Sequence, residues 1–133
     1  MSLQTSFDSV RAFLEGPNRT VLATLQSTGA PHSVVVDYLV LDDGLLLNGR
    51  HDRRWVANLR QDPRATALVH DPRAVQHWVS ISGSVELMRE GDDASVEDAK
   101  TMSRRYGDDP EQFNGQHRVT WRLVPERVFE RTT

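Results

Sequence analysis

The sequence contains no cysteine among its 133 residues. This absence excludes disulfide bonds, thiolate metal sites and cysteine nucleophiles, and it is typical of proteins from a reducing compartment. Long apolar runs are missing too, and the first residues are polar or acidic where a signal peptide has a hydrophobic stretch. We therefore expect a soluble, cytoplasmic protein with no membrane partner.

Excess positive charge is also lacking, since the formal net charge is -3 and Lys100 is the only lysine. Such a chain has no overall positive field to hold nucleic acid, so no nucleic-acid partner is expected. The five histidines never occur at the spacing that places two ligands on one helical face, and we predict no metal site. A Gly-x-Ser-x-Gly nucleophile motif is missing as well, which disfavours a hydrolase.

The composition that remains is that of an ordinary folded domain. Hydrophobic residues make up 38% of the chain and charged residues 26%, and 133 residues suit one hydrophobic core. No repeat or linker-like stretch divides the sequence, so we expect a single domain over residues 1–133.

Strand patterns dominate the chain. The predicted strands are 20–27, 33–41, 45–50, 65–70, 75–88, and a sixth from 118 to 130 that breaks or bends at Pro125. Asp42-Asp43-Gly44 predicts a hairpin turn with positive φ angles, and Gly83 predicts a bulge. The fold class is mainly β and antiparallel, and the pattern by itself fits either a barrel or a sandwich.

Three short helices are predicted beside these strands. Ser6 is the N-cap of the first, which ends at Gly16-Pro17. Asp52 is the predicted N-cap of the second, which continues through Leu59. The third runs from about residue 94 to 106 and ends at Gly107.

The segment from Gly49 to Trp55 holds the clearest chemistry, because it places three arginines where a strand ends and a helix begins. Helix N-termini and arginines both favour phosphate or carboxylate groups. The alternative is a solvated basic turn balanced by Asp52 and Asp62. In the strand before it, alternation places Ser33, Val35 and Asp37 on one face. Asp37 is then either exposed at an edge or a polar group in a substrate pocket.

An ordered set of segments resembles a known family across nearly the whole chain. The segments are VLATLQSTGAPHS (21–33), LDDGLLLNGR (41–50), NLRQDPRATALVHDP (58–72), SGSVEL (82–87), RRYGDDP (104–110) and RLVPERV (122–128). This order is similar to that of the pyridoxamine 5'-phosphate oxidase-like split-barrel family, in particular its small members that use the deazaflavin coenzyme F420.

The resemblance implies a six-stranded antiparallel Greek-key split β-barrel with flanking short helices, which forms a homodimer with cofactor sites at its interface. It further implies an oxidoreductase that transfers a hydride between F420 and a small organic acceptor. One alternative is an FMN-binding oxidoreductase of the same fold. Another is a non-catalytic barrel that binds haem or a different small ligand.

The resemblance also assigns roles to individual residues. Arg50, Arg53 and Arg54 would hold the cofactor's phosphate and tail, Ser33 and Val35 would flank its ring, Asn48 would be a further contact, Trp55 and Trp78 would shape the pocket, and Asp37 and His77 would face the substrate. His77 and Trp78 would reach the partner's site in a dimer. Trp55 and Ala57 stand where many relatives carry lysine and arginine.

Overall fold

A computed structural model describes residues 2–132 of the chain. These residues form eight strands, three α-helices and one 3₁₀ turn. The strands are β1 (Ser2–Thr5), β2 (Thr20–Leu25), β3 (Pro31–Val36), β4 (Leu39–Leu41), β5 (Gly44–Arg50), β6 (Arg64–Asp71), β7 (Ala74–Glu90) and β8 (Arg118–Arg131). The helices are α1 (Phe7–Leu14), α2 (Arg54–Gln61) and α3 (Asp93–Arg105), and the 3₁₀ turn is Pro110–Phe113.

All strand pairs are antiparallel, and the order across the sheet is β3-β2-β6-β7-β8-β5-β4, with β1 added beside β8. The two end strands, β3 and β4, are consecutive in the chain, and only Asp37 and Tyr38 separate them. Because so short a link spans at most about 11 Å, the two ends of the sheet must lie close together. The sheet is therefore a barrel split at this junction, as predicted, and a flat sheet is excluded.

The predicted strand 33–41 is interrupted at this junction. Its first half pairs with β2 and its second half with β5, so the two halves together act as one bent strand of a six-stranded ring. Burial of Tyr38 explains the bend, since its side chain is fully buried and its hydroxyl donates to the Leu14 carbonyl at 2.7 Å. The first strand, β1, lies outside this six-stranded ring, and the sequence pattern did not predict it.

The core fills the inside of the barrel. Inward side chains alternate along β2, β6 and β7, while nearly every residue of β5 is buried. The largest buried side chains include Tyr38, Leu14, Leu22, Leu45 and Ile81. Two helices close the barrel, because Val10 and Leu14 of α1 and Val56 and Leu59 of α2 belong to the same hydrophobic cluster.

The helix predictions differ in how well they match. The Ser6 side chain accepts a hydrogen bond from the Ser9 N–H and caps α1, as predicted. Asp92 caps α3 in the same way through Ser95, within one residue of the expected start. The prediction that Asp52 caps α2 is wrong: the N-cap is Arg53, without a side-chain bond, because the Asp52 carboxylate pairs with Arg50.

Two glycines are required by close backbone approach. A Cβ on Gly83 would lie 1.9 Å from the Val124 carbonyl oxygen, and the register shifts between Ser82 and Gly83, which confirms the predicted bulge. Pro125 lies opposite Gly83 and β8 continues past it. The predicted positive φ angles at the β4–β5 hairpin are wrong, since neither Asp43 nor Gly44 has one. Gly44 is needed because a Cβ there would lie 2.2 Å from the Leu123 carbonyl oxygen.

None of the helices within residues 2–132 has the length and apolar character needed to cross a membrane.

Candidate functional site

A cavity of about 350 Å³ opens where the barrel is split. This volume lies at the lower end of the range for small-molecule sites. Its wall is formed by the end of β3, the end of β5, the start of α2, one face of α3 and the 3₁₀ turn. The lining residues are Val34, Val35, Val36, Asp37, Asn48, Gly49, Arg50, Arg53, Trp55, Ala99, Met102, Phe113 and Arg118.

One end of the cavity is cationic. Arg50 donates from Nε and Nη2 to the Asp52 carboxylate at 3.0 and 2.8 Å, so its charge already has a partner. Arg53 is exposed, and no hydrogen bond or ion pair involves its side chain in the part of the chain that the structure describes. Arg53 is therefore free to bind an anion at the rim.

Arg118 is a third arginine in this cavity, and it lies directly opposite Arg50 on the paired strands β5 and β8. Its Nε donates to Asn48 Oδ1 at 2.9 Å, and its Nη1 donates to Gln116 Oε1 at 2.8 Å. Its guanidinium carbon also lies 4.8 Å from the centre of the Phe113 ring. The pKa of Arg118 is lowered to about 10, first by burial and then by the charges of Arg50 and Arg53. Arg118 is thus still a cation at neutral pH, in an environment that opposes its charge.

Asn48 connects this arginine to the barrel and to α3. Its Nδ2 donates to the Ser95 carbonyl at 2.8 Å and to Thr120 Oγ1 at 2.9 Å. Thr120 in turn donates to Asp98, which pairs with Arg89 at 2.6 Å. Both donor hydrogens of the Asn48 amide are used inside the protein, so its amide oxygen is the atom left to contact the cavity's cations. That oxygen accepts from Arg118, and Asn48 therefore positions Arg118.

The opposite wall of the cavity is apolar. It consists of the valines at the end of β3, Met102 of α3, and Trp55 at the start of α2. Trp55 is only 4% exposed and belongs to the core. A Cβ at Gly49 would lie 2.3 Å from Trp55 Cζ2, so the indole packs directly against the glycine backbone. Trp55 therefore forms part of the cavity floor, and little of its surface is available to stack on a ligand.

Asp37 lies at the rim of the cavity and is paired. Arg19 donates from Nε to Asp37 Oδ1 at 2.7 Å, and its Nη2 lies 3.2 Å from Asp108 Oδ2. The same guanidinium stacks over the Tyr106 ring at 4.4 Å. Hydrogen bonding to Asp37 raises the pKa of Arg19 above its ordinary value. The negative charge of Asp37, which lies in an apolar stretch of the sequence, is thus neutralised by Arg19.

The cavity gathers six of the ten predicted site residues, namely Val35, Asp37, Asn48, Arg50, Arg53 and Trp55. Ser33 lies on the same face of β3 as Val35 but outside the lining. Arg54 points to a separate groove, where its Nη1 lies 3.4 Å from Gln26 Oε1. Its predicted role in holding the cofactor remains a prediction.

The remaining two residues, His77 and Trp78, lie elsewhere on β7 and do not line the cavity of their own chain. The His77 ring packs against Phe13 of α1, with ring centres 4.3 Å apart. Its Nε2 lies 3.5 Å from Glu130 Oε2 but in a geometry that makes no hydrogen bond. Trp78 is half-buried on the outer face of the sheet. Their predicted reach into a partner's site remains a prediction.

Seven residues of the cavity lining were not predicted as site residues, namely Val34, Val36, Gly49, Ala99, Met102, Phe113 and Arg118. Alternation along β8 buries Val119 and Trp121 and places Arg118 on the other face, which is a local signal. What the local pattern cannot give is the pairing of β8 with β5, and only that pairing brings Arg118 to Arg50.

Comparison with known proteins identifies the chain's relatives. The sequence pattern of the family described as pyridoxamine 5'-phosphate oxidase matches residues 7–132. The chain belongs to the pyridoxamine 5'-phosphate oxidase family. No protein of curated function matches the sequence.

Several solved structures share the fold of this chain. An F420 reductase is 20% identical with a TM-score of 0.73, over 90% of this chain and 94% of that one. A conserved hypothetical protein from Mycobacterium tuberculosis is 24% identical with a TM-score of 0.77, over 96% and 85%. The haem storage protein HutZ from Vibrio cholerae is 18% identical with a TM-score of 0.72, over 94% of each chain. At these identities the likeness establishes the shared fold.

Proposed function

We propose that this chain is a cofactor-dependent oxidoreductase that binds the deazaflavin F420 in the cavity at the barrel split and acts on a small organic acceptor. The observation that carries the proposal is the composition of that cavity, which joins two arginines without a carboxylate partner within residues 2–132, Arg53 and Arg118, to an apolar wall. A flavin-type cofactor has the same two-part character, with an anionic tail and a largely apolar ring system. The F420 reductase among the structural relatives supports the choice of F420 over FMN.

The chain's own residues would bind and orient such a cofactor. The cofactor supplies the hydride chemistry, which is why no catalytic acid or nucleophile is required of the protein. Arg50 and Arg53 would hold the anionic tail at the cationic end. Val35 and its neighbours on β3 would contact the ring, and Trp55 and Met102 would exclude water from beneath it.

Titration of the purified protein with F420, FMN and haem tests this function. Binding of F420 with a dissociation constant below about 100 μM, tighter than that of FMN, is the expected result. Tighter binding of FMN than of F420 would indicate that the same cavity binds FMN as its cofactor. Binding of haem alone would overturn the oxidoreductase proposal and favour the ligand-binding barrel.

Adjacent arginines provide a matched pair of variants for the same titration. Arg53 lines the cavity without a partner, whereas Arg54 lies in a different groove beside Gln26. R53Q should weaken F420 binding by about tenfold, the value of one charge-assisted hydrogen bond. R54Q should leave the affinity within about twofold of the wild type, and a tenfold loss in R54Q alone would instead support the cofactor role that the resemblance gives to Arg54. Equal losses in both variants would show that nonspecific surface charge, and not the cavity, binds the cofactor.

We further propose that a second copy of the chain covers the outer face of the sheet. A row of side chains crosses five paired strands there, from Val35 through Val21, Leu68 and Ser80 to Phe129. Val35 is 63% exposed on β3 and Leu68 is 37% exposed on β6, so apolar surface is exposed on both sides of β2. Val35 also lines the cavity, so a partner on this face would lie next to the cofactor site. A homodimer would in this way complete a cavity that each chain leaves open.

A further inference from the structure

Arg118 is the most unusual charged group in the cavity, because all of its hydrogen-bond acceptors are neutral. Asn48 and Gln116 accept from it through amide oxygens, and no carboxylate within residues 2–132 pairs with it. At least nine other arginines within residues 2–132 pair with a carboxylate at 2.5 to 3.3 Å, as Arg50 and Arg122 do. Arg118 therefore keeps an uncompensated positive charge in a half-buried position.

The surroundings of Arg118 make that charge unfavourable in the ligand-free protein. Arg50 stands directly opposite it on the neighbouring strand, and like charges in such a pair destabilise a sheet. Arg53 adds a third positive charge close by, and both neighbours lower the pKa of Arg118. Burial adds a further cost, since a charge removed from water needs a partner of opposite sign.

The position of Arg118 is nevertheless well determined. Asn48 is held by Ser95 and Thr120, so its oxygen is fixed where it accepts from Nε of the guanidinium. The Phe113 ring covers one face of the same group. A rigid arginine that faces a cavity with free donor hydrogens is suited to bind a planar pair of anionic oxygens.

We propose that Arg118, held in place by Asn48 and Gln116, is the residue that binds a phosphate group in the cavity. Arg53 supplies the second cation at the rim, so that the anion lies between two strands and the start of α2. The proposal rests on the proposed function only for the identity of the molecule that carries the phosphate.

The first test compares ligands that differ by their phosphate. FMN should bind the wild type about tenfold more tightly than riboflavin, and F420 should exceed its phosphate-free deazaflavin analogue by a similar factor. R118Q should bring each pair of affinities within about twofold, with the phosphate-free ligand unaffected. R122Q is the matched control on the same strand, because Arg122 is already paired with Asp43 and Glu86, and it should keep the full discrimination.

A second variant neutralises Arg118 without removing it. Q116E places a carboxylate on the acceptor that Arg118 already uses at 2.8 Å, so we expect the fold to be retained while the free charge is lost. It should abolish phosphate discrimination as R118Q does. Retained discrimination in Q116E would overturn the proposal, because a purely structural Arg118 would not respond to this change.

A readout that needs no flavin separates this proposal from the proposed function. Pyrophosphate, compared with chloride at equal ionic strength, should raise the midpoint of thermal unfolding of the wild type and of R122Q, but not of R118Q or Q116E. If no flavin binds while this pattern appears, the cofactor assignment fails and the anion site stands. No response in the wild type, or an equal response in R118Q, would overturn the anion site.

Discussion

Arg19 determines the net charge at the mouth of the cavity. It pairs with Asp37, a lining residue, and both side chains are partly exposed, at 47% and 28%. Exposed ion pairs contribute little to stability, typically less than about 1 kcal/mol. The effect of this pair is therefore expected in ligand binding, because an unpaired Asp37 would repel an anionic cofactor.

Removing Arg19 should accordingly weaken the cofactor without unfolding the protein. R19Q is expected to reduce the affinity for F420 or FMN by about threefold, since the freed carboxylate acts across a solvated rim. D37N should bind at least as tightly as the wild type. The double variant R19Q/D37N should recover the lost affinity, as fluorescence titration of all four proteins would measure.

Riboflavin serves as the control ligand for this cycle because it carries no phosphate charge. Its affinity should change by less than about twofold in R19Q. A loss in R19Q that persists in the double variant would show that Arg19 acts through the structure of the rim and not through the charge of Asp37.

At the scale of secondary-structure elements, α3 holds together the segments of the chain that meet at the split in the barrel. Arg105, the last residue of α3, donates to the carbonyls of Tyr38, Leu14 and Gly16. Its guanidinium also lies 4.5 Å from the centre of the Tyr38 ring. The junction between β3 and β4, the end of α1 and the end of α3 therefore meet at one side chain, and the wall of the cavity that α3 provides depends on it.

Tyr38 makes this junction sensitive to alkaline pH. Burial raises the pKa of its hydroxyl from 10.0 to about 12. Above pH 10 the unfolded chain loses this proton while the folded protein keeps it, so stability falls as pH rises toward 12. The difference in unfolding free energy between wild type and Y38F should shrink by about 1.4 kcal/mol from about pH 9 to about pH 11, as urea denaturation would measure.

The prediction compares the unfolding free energies of wild type and Y38F because the titration of Arg118 changes stability in the opposite direction to that of Tyr38. The folded pKa of Arg118 is lowered to about 10, so the unfolded chain binds the extra proton and stability rises with pH in the same range. This contribution is the same in Y38F and cancels. An unchanged difference between about pH 9 and about pH 11 would contradict the burial-driven pKa of Tyr38.

Elements with local signals were predictable from the sequence, and those with distant partners were not. Ser6 caps its helix through a bond to a residue three positions away, so sequence spacing was sufficient to predict the cap, and the start of α3 beside Asp92 was predicted to within one residue. Asp52 is also a residue type that caps helices, but its carboxylate pairs with Arg50 and does not cap α2. The arginine cluster at β5 was visible in the sequence, whereas Arg118 joins it through pairing over a separation of 68 residues.

At the scale of the whole molecule, the proposed dimer should depend on the outer face of the sheet. Leu68 occupies the middle of the row that crosses it, between Val21 and Ser80. L68R would place a charge at the centre of an apolar interface and should convert a dimer into a monomer, as light scattering after size-exclusion chromatography would measure.

Leu87 provides the matched control, since it is 51% exposed but lies on the part of β7 that pairs with Trp121, away from the row. L87R should remain a dimer. A monomeric wild type, or dissociation of L87R to the same extent as L68R, would contradict the assignment of this face.

The central claim is that the cavity at the barrel split binds a flavin-type cofactor. The most direct measurement is a map of backbone amide chemical shifts while isotope-labelled protein is titrated with F420 and FMN. The account predicts that the largest shifts fall at Val34–Val36 on β3, at Gly49–Arg53 and at Arg118, the segments that line the cavity. Shifts confined to other surfaces, or none with either cofactor at saturating concentration, would contradict it.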